Sequence, residues 1–269
     1  MKKFWKKTSL FLVTAAMTVS APLMAWALEH DIVILHTNDI HCGINDNIGF
    51  AGLAQIKKDA LARTPNVALV DAGDAIQGAP IGKLSRGLAV VDMMALVGYD
   101  VIPLGNHEFD YGMDRFLELV PLQRAGYYCA NFVYAGNNKQ VLPGYKIMQY
   151  EDTKVAFVGA STPESLTTST PTFFQNEKGK YIYSFCEDKT GNKLYKQLQK
   201  NVDKARKDGA DYVFIVGHLG MDGTTPQWSS ESVAKNTQGV DAVIDGHSHE
   251  RFTRMVKNKV GKDVLLAQT

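Results

Sequence analysis

Five short stretches of this chain concentrate side chains that ligate metals and carry protons: HTNDIH (36–41), DAGDAIQG (71–78), GNHEFD (105–110), GHLG (217–220) and DGHSHE (245–250). The chain has seven histidines, and five of them (His41, His107, His218, His247, His249) stand in these stretches at ligand-like positions. His30 lies outside them, and His36, three residues before Asp39, reads as a structural donor near a strand end. Asp39-x-His41 puts two side chains on one face of an extended segment, since alternate residues share a face, so one cation can take an oxygen and a nitrogen. His247-Ser248-His249 has the same spacing. Either pair alone is equally a surface or hydrogen-bonded histidine. Set beside Gly73-Asp74, Gly105-Asn106-His107 and Gly217-His218, coincidence becomes a poor account of all of them.

Each stretch follows a short apolar run, and the runs set the expected strands: 31–36, 66–70, 101–104, 127–132, 154–159, 211–216 and 240–244. Helices are expected near 51–63, 87–98, 113–124 and 192–207, the last with a stripe of Leu194, Leu198, Val202 and Ala205. This alternation predicts a layered α/β fold. Ligand sites in such folds assemble at strand carboxyl ends, so the five clusters are expected to converge. Residues 160–190, rich in Ser, Thr, Gly and Pro, read as a long lid or rim loop. The closing DVLLAQT is a strand-like run with no turn or cap after it, which reads as a cut inside a larger protein.

With 269 residues, 45% of them hydrophobic, the chain has material for one large or two small domains. Residues 1–27 put four lysines before an apolar stretch ending in Ala25-Trp26-Ala27, the pattern of a signal peptide cleaved after Ala27, so a periplasmic or secreted protein is expected. No later segment is long and apolar enough for a stable membrane anchor. Cleavage removes four lysines and no acid, taking the net charge from +1 to −3, which leaves no basic excess for a nucleic-acid polymer. Of the three cysteines, Cys129 and Cys186 are the pair available for a disulfide, with buried free thiols as the alternative.

The ordered set D-x-H, G-D, G-N-H, G-H and G-H-x-H resembles the calcineurin-like metallophosphoesterase superfamily, and ILHTNDIH, GDAIQG and GNHEFDYG resemble its exported 5'-nucleotidase branch. The resemblance covers residues 31–269 and implies an αββα sandwich, residues 28–269, with a dinuclear site at strand carboxyl ends. It also implies that Asp39, His41, Asp74 and His249 hold one metal and that Asp74, Asn106, His218 and His247 hold the other, Asp74 bridging. Such a donor set is nitrogen and oxygen only, which suits Zn, Mn or Fe without choosing among them. Two such cations polarise a phosphoryl group and supply a bound hydroxide at neutral pH.

His107 is then the general acid for the departing alkoxide and Asp110 its orienter, with Asn106 and His107 also meeting the substrate. Asp71, Glu108 and Asp245 read as partners that orient ligands. Cys42 stands where the family generally has Gly. The implied activity is hydrolysis of nucleoside 5'-phosphates, with a further C-terminal domain expected to supply nucleoside contacts. The rivals are a 2',3'-cyclic-nucleotide phosphodiesterase, whose members tend to carry Asn where Asp110 stands, a nucleotide-sugar hydrolase, and a non-catalytic metal-binding protein.

Overall fold

Side chains along one strand show how the layers arise, because successive residues point to opposite faces. Ile32 and Ile34 join a cluster with Val70, Phe157, Phe214 and Ile244, whereas Val33 and Leu35 pack with Phe50, Leu53, Val90 and Met94. The first cluster lies between two sheets and the second between a sheet and its helices.

A computed structural model describes residues 10–14, 30–221 and 224–269. Its strands are β1 (Leu10–Thr14), β2 (Ile32–Thr37), β3 (Val67–Asp71), β4 (Val133–Tyr134), β5 (Tyr145–Tyr150), β6 (Thr153–Ser161), β7 (Tyr183–Ser184), β8 (Tyr212–His218), β9 (Ala242–Ile244), β10 (Phe252–Lys257) and β11 (Asp263–Gln268). The helices are α1 (Gly49–Leu61), α2 (Pro80–Ser85), α3 (Leu88–Val97), α4 (Met113–Leu119), α5 (Ser165–Thr168), α6 (Asn192–Lys207) and α7 (Ser230–Asn236). One sheet runs β1-β2-β3, all parallel, and a six-stranded mixed sheet runs β10-β11-β9-β8-β6-β5. Alternation repeats in the second sheet: Phe214 and Val216 face the first sheet, while Val213 and Ile215 meet Leu194, Leu198 and Val202 of α6. The result is the expected αββα sandwich. The leader expected at 1–27 and its cleavage site lie outside the described residues, apart from β1.

Several expectations change. The runs 101–104 and 127–132 make only isolated parallel bridges, Val70 with Val101 and Ile102 with Tyr127. Pro103 has no N–H to donate to a ladder, and Cys129 and Ala130 donate instead to Pro143 O and Gly159 O. Helix α4 ends at Leu119, and Pro121 sits in the 3-10 turn after it. The edge strands β5 and β10 and the short helices α2 and α7 had weak apolar periodicity and were not expected. The final run is strand β11, paired on both sides. The 160–190 segment is anchored, since Phe174 and Phe185 are fully buried against Phe109 at centroid distances of 5.1 and 5.6 Å. All three cysteines are buried and free, and both Cys129 and Cys186 thiols donate to Asn131 oxygens.

Candidate metal centre

Five of the six cluster residues are delivered by sharp turns at strand ends, and His218 by the last position of β8. Asp39 (φ 49°), His41 (45°), Cys42 (61°), Asp74 (59°), His247 (79°) and His249 (51°) all occupy the left-handed region. Asp and His tolerate it better than most residues, yet each such residue costs of order 1–3 kcal/mol, and such strain collects at functional sites. This overturns the reading of Asp39-x-His41 as an extended pair. It also accounts for Cys42 at a position that suits Gly: its Sγ turns into the core beside Gly82, and burial pushes the thiol up to about 11.

Two three-residue clusters result: Asp39, His41 and His249, and Asp74, His218 and His247. In the first, His41 Nε2 and His249 Nε2 are 3.3 Å apart and Asp39 Oδ1 is 3.3 Å from His249 Nε2. In the second, Asp74 Oδ2 is 2.9 Å from His218 Nε2. The same Oδ2 lies 3.9 Å from His41 Nε2, so this carboxylate faces both clusters. His247 and His249 part company, one to each cluster. His41 Nδ1 donates to Gln77 O (3.0 Å) and His218 Nδ1 to Ala72 O (2.7 Å), so Nε2 is the atom of each ring that faces the cluster and would give its lone pair to a cation once it carries no proton. The Asn106 side-chain oxygen is buried and without a hydrogen-bond partner among the described residues. Nitrogen lone pairs, carboxylates and an orphaned amide oxygen are the donor set a divalent cation takes.

Buried acids hold the loops in place. Glu108 accepts from the backbone N–H groups of Asp74 (2.9 Å), Ala75 (2.9 Å) and Gly105 (2.6 Å). Gly105 has to be glycine, because a Cβ there would come within 2.1 Å of Asp74 Oδ1. Asp71 accepts from Thr37 Oγ1 and Gly73 N, and Asp245 from Leu219 N and Gly220 N. These three acids therefore fix backbone around the donors. Burial raises all three carboxyls, Asp245 to about 6. Burial opposes charge on His218 too, but the adjacent Asp74 carboxylate outweighs it and lifts His218 to about 10. His36 is a correction: it is buried with neither ring nitrogen partnered among the described residues, so it is no donor, and burial lowers it to about 4.

Beside the clusters, His107 Nδ1 is 2.6 Å from Asp110 Oδ2, a bond that raises the imidazole. The ring, about one-third exposed, lies edge-on to His41 at 5.2 Å between centroids. Sequence reasoning missed Glu164, whose Oε2 is 3.1 Å from His247 Nε2. It stands three residues past the end of β6, the same kind of place as the other clusters, with neither a histidine nor a glycine beside it to mark it.

The calcineurin-like phosphoesterase family profile matches residues 32–251. This chain belongs to that family. The chain is 28% identical over 259 residues to a snake venom 5'-nucleotidase of Gloydius brevicauda, covering 89% of this chain and 40% of the relative. It is 27% identical over 272 residues to a 2',3'-cyclic-nucleotide 2'-phosphodiesterase/3'-nucleotidase of Haemophilus influenzae, with the same two shares covered. A 5'-nucleotidase precursor structure from Thermus thermophilus superposes with a TM-score of 0.72 at 25% identity, covering 88% of this chain and 48% of that one. The chain thus spans about 40% of the length of the curated relatives it matches. As a calcineurin-like phosphoesterase it has its two donor clusters inside, or at the edge of, the matched region.

Proposed function

We propose that this phosphoesterase domain binds two divalent cations and belongs to an exported 5'-nucleotidase, releasing nucleoside and phosphate from nucleoside 5'-phosphates. The observation that carries this is Asp74 Oδ2 facing His218 Nε2 at 2.9 Å and His41 Nε2 at 3.9 Å, with the orphaned Asn106 oxygen buried nearby in sequence to His107. Asp39, His41, Asp74 and His249 would hold one cation, and Asp74, Asn106, His218 and His247 the other. When bound, the pair would supply Lewis acidity toward the phosphoryl oxygens and an activated water. Zn, Mn and Fe(II) all fit the donors. The chain's own part is to present these lone pairs in strained, preset turns and to hold a proton on His107, with Asp110 accepting from Nδ1 so that Nε2 is left toward the leaving oxygen. Asn106 and His107 would meet the substrate phosphate. Recognition of base and ribose would fall to a further C-terminal domain, and export to residues 1–27; among the described residues no helix is long and apolar enough to cross a membrane.

The test is a substrate panel with and without Mn(II): AMP, a 2',3'-cyclic nucleotide, a UDP-sugar and p-nitrophenyl phosphate. Release of phosphate from AMP supports the reading, and turnover of the cyclic nucleotide or UDP-sugar alone replaces it. Elemental analysis addresses the bridge: Asp74→Ala is expected to lose both metals, whereas His249→Ala mainly weakens the first. Two metals retained per chain in Asp74→Ala would refute bridging.

A further inference from the structure

We propose that Glu164 is a positioning residue for His247, holding the imidazole proton on Nε2 so that Nδ1 presents its lone pair to the cluster of Asp74 and His218. The proposal rests on the reading of His247 as a ligand of the second cation. Three cluster histidines each have one ring nitrogen occupied. His41 and His218 each use Nδ1, on Gln77 O and Ala72 O, and a carbonyl oxygen only accepts, so the neutral form of each ring keeps its proton on Nδ1. His247 has the reverse arrangement: its engaged nitrogen is Nε2, and the group facing it is the Glu164 carboxylate at 3.1 Å. An ionised carboxylate is also acceptor-only, which places the hydrogen on Nε2 and leaves Nδ1 as the donor atom.

Glu164 is itself held from the other side. Its Oε1 accepts from the backbone N–H of Thr225 (2.6 Å) and from Thr225 Oγ1 (2.5 Å). Only 16% of the Glu164 side chain and 13% of the His247 side chain is exposed. The contact thereby joins three turns, those after β6, β8 and β9, and both carboxylate oxygens in it are engaged by donors. An amide in place of this carboxylate cannot satisfy both sides. With its oxygen on Thr225, its NH₂ faces His247 and drives the proton to Nδ1; turned over, its NH₂ meets the Thr225 N–H.

Mn(II) titration of the purified chain, read by calorimetry, tests this together with the ¹⁵N shifts of His247 in the Mn-free protein. Glu164→Gln and Glu164→Ala are each expected to weaken the second site about 10–100-fold, the range for losing such a partner, while the first site keeps its affinity. His247 in the parent is expected to carry its proton on Nε2, and Glu164→Gln to move it toward Nδ1. Thr225→Val, which removes one anchor but leaves the carboxylate facing His247, is expected to stay within a few-fold of the parent. His247→Ala separates the two levels of the argument: if it binds both Mn(II) ions as the parent does, the ligand reading falls. If His247→Ala loses the second ion while both Glu164 variants keep it, or lose only thermal stability, the proposal for Glu164 is overturned.

Discussion

An alkoxide leaving group needs a proton that p-nitrophenolate hardly needs, and under the proposed function His107 would give it. Its Nδ1 is fixed by Asp110 at 2.6 Å, and that bond raises the imidazole so that it is held protonated more readily than a free histidine. His107→Asn is expected to lower kcat on AMP about 10²–10⁴-fold and to affect p-nitrophenyl phosphate much less. Equal losses on the two substrates would remove His107 from the acid role; metal content is expected to stay at the parent value. At this scale the sequence was informative wherever a histidine, or a glycine-preceded acid behind an apolar run, marked the place. Asp39, His41, Asp74, His218, His247 and His249 were all singled out by residue type and spacing, and all six come together. What spacing could not give was backbone hand: a D-x-H written on one line looks extended, and only the tertiary turn makes both residues left-handed. Glu164 was missed because a lone glutamate past a strand carries no such mark.

On strand β2 the alternation that builds the sandwich also places His36 on the face of Ile32 and Ile34, where its imidazole meets no partner among the described residues. It lines a cavity of about 420 Å³ together with Asp39, Asp46, Tyr99 and Arg251. Burial lowers this histidine from 6.5 to about 4. Below pH 6.5 the unfolded chain takes up a proton there that the folded chain refuses until about pH 4, so stability is whole above 6.5 and falls across that window. The loss is about 3 kcal/mol at 1.36 kcal/mol per unit. His36→Leu is expected to remove that part of the slope, measured as urea stability at pH 7 and pH 4.5 for both proteins; parallel slopes would show that His36 is not the source. The strands that built the two sheets were legible because both faces of each are buried, giving continuous apolar runs. The edge strands β5 and β10 were not, since β10 is mostly exposed, β5 is mostly only half-buried, and their patterns are diluted by Lys, Gln, Thr and Arg.

Across the whole molecule, each donor cluster draws on both sheets. Asp39 and His41 follow β2 and Asp74 follows β3, while His218 ends β8 and His247 and His249 follow β9. Either cation would therefore bridge the two layers, which also meet through the apolar interface that includes Ile32, Ile34, Phe157 and Phe214. Asn38 adds a further tie, donating to Asp39 Oδ2 and to Thr269 O while accepting from Thr269 N, so the first cluster is also fastened to the end of β11. A ligand that binds only the folded state raises stability by RT ln(1 + [L]/Kd), about 2.7 kcal/mol at a hundred times Kd. For a domain of this size that is a Tm rise of about 5–10 °C for one site. Chelation with EDTA is expected to lower Tm by this amount for each site emptied, and restoring Mn(II) to recover it. Asp74→Ala, which loses a donor common to both clusters, is expected to show little response to either treatment. A parent Tm indifferent to EDTA and Mn(II) would mean that no cation couples the sheets, whereas a full response retained in Asp74→Ala would place the stabilising cation away from these two clusters.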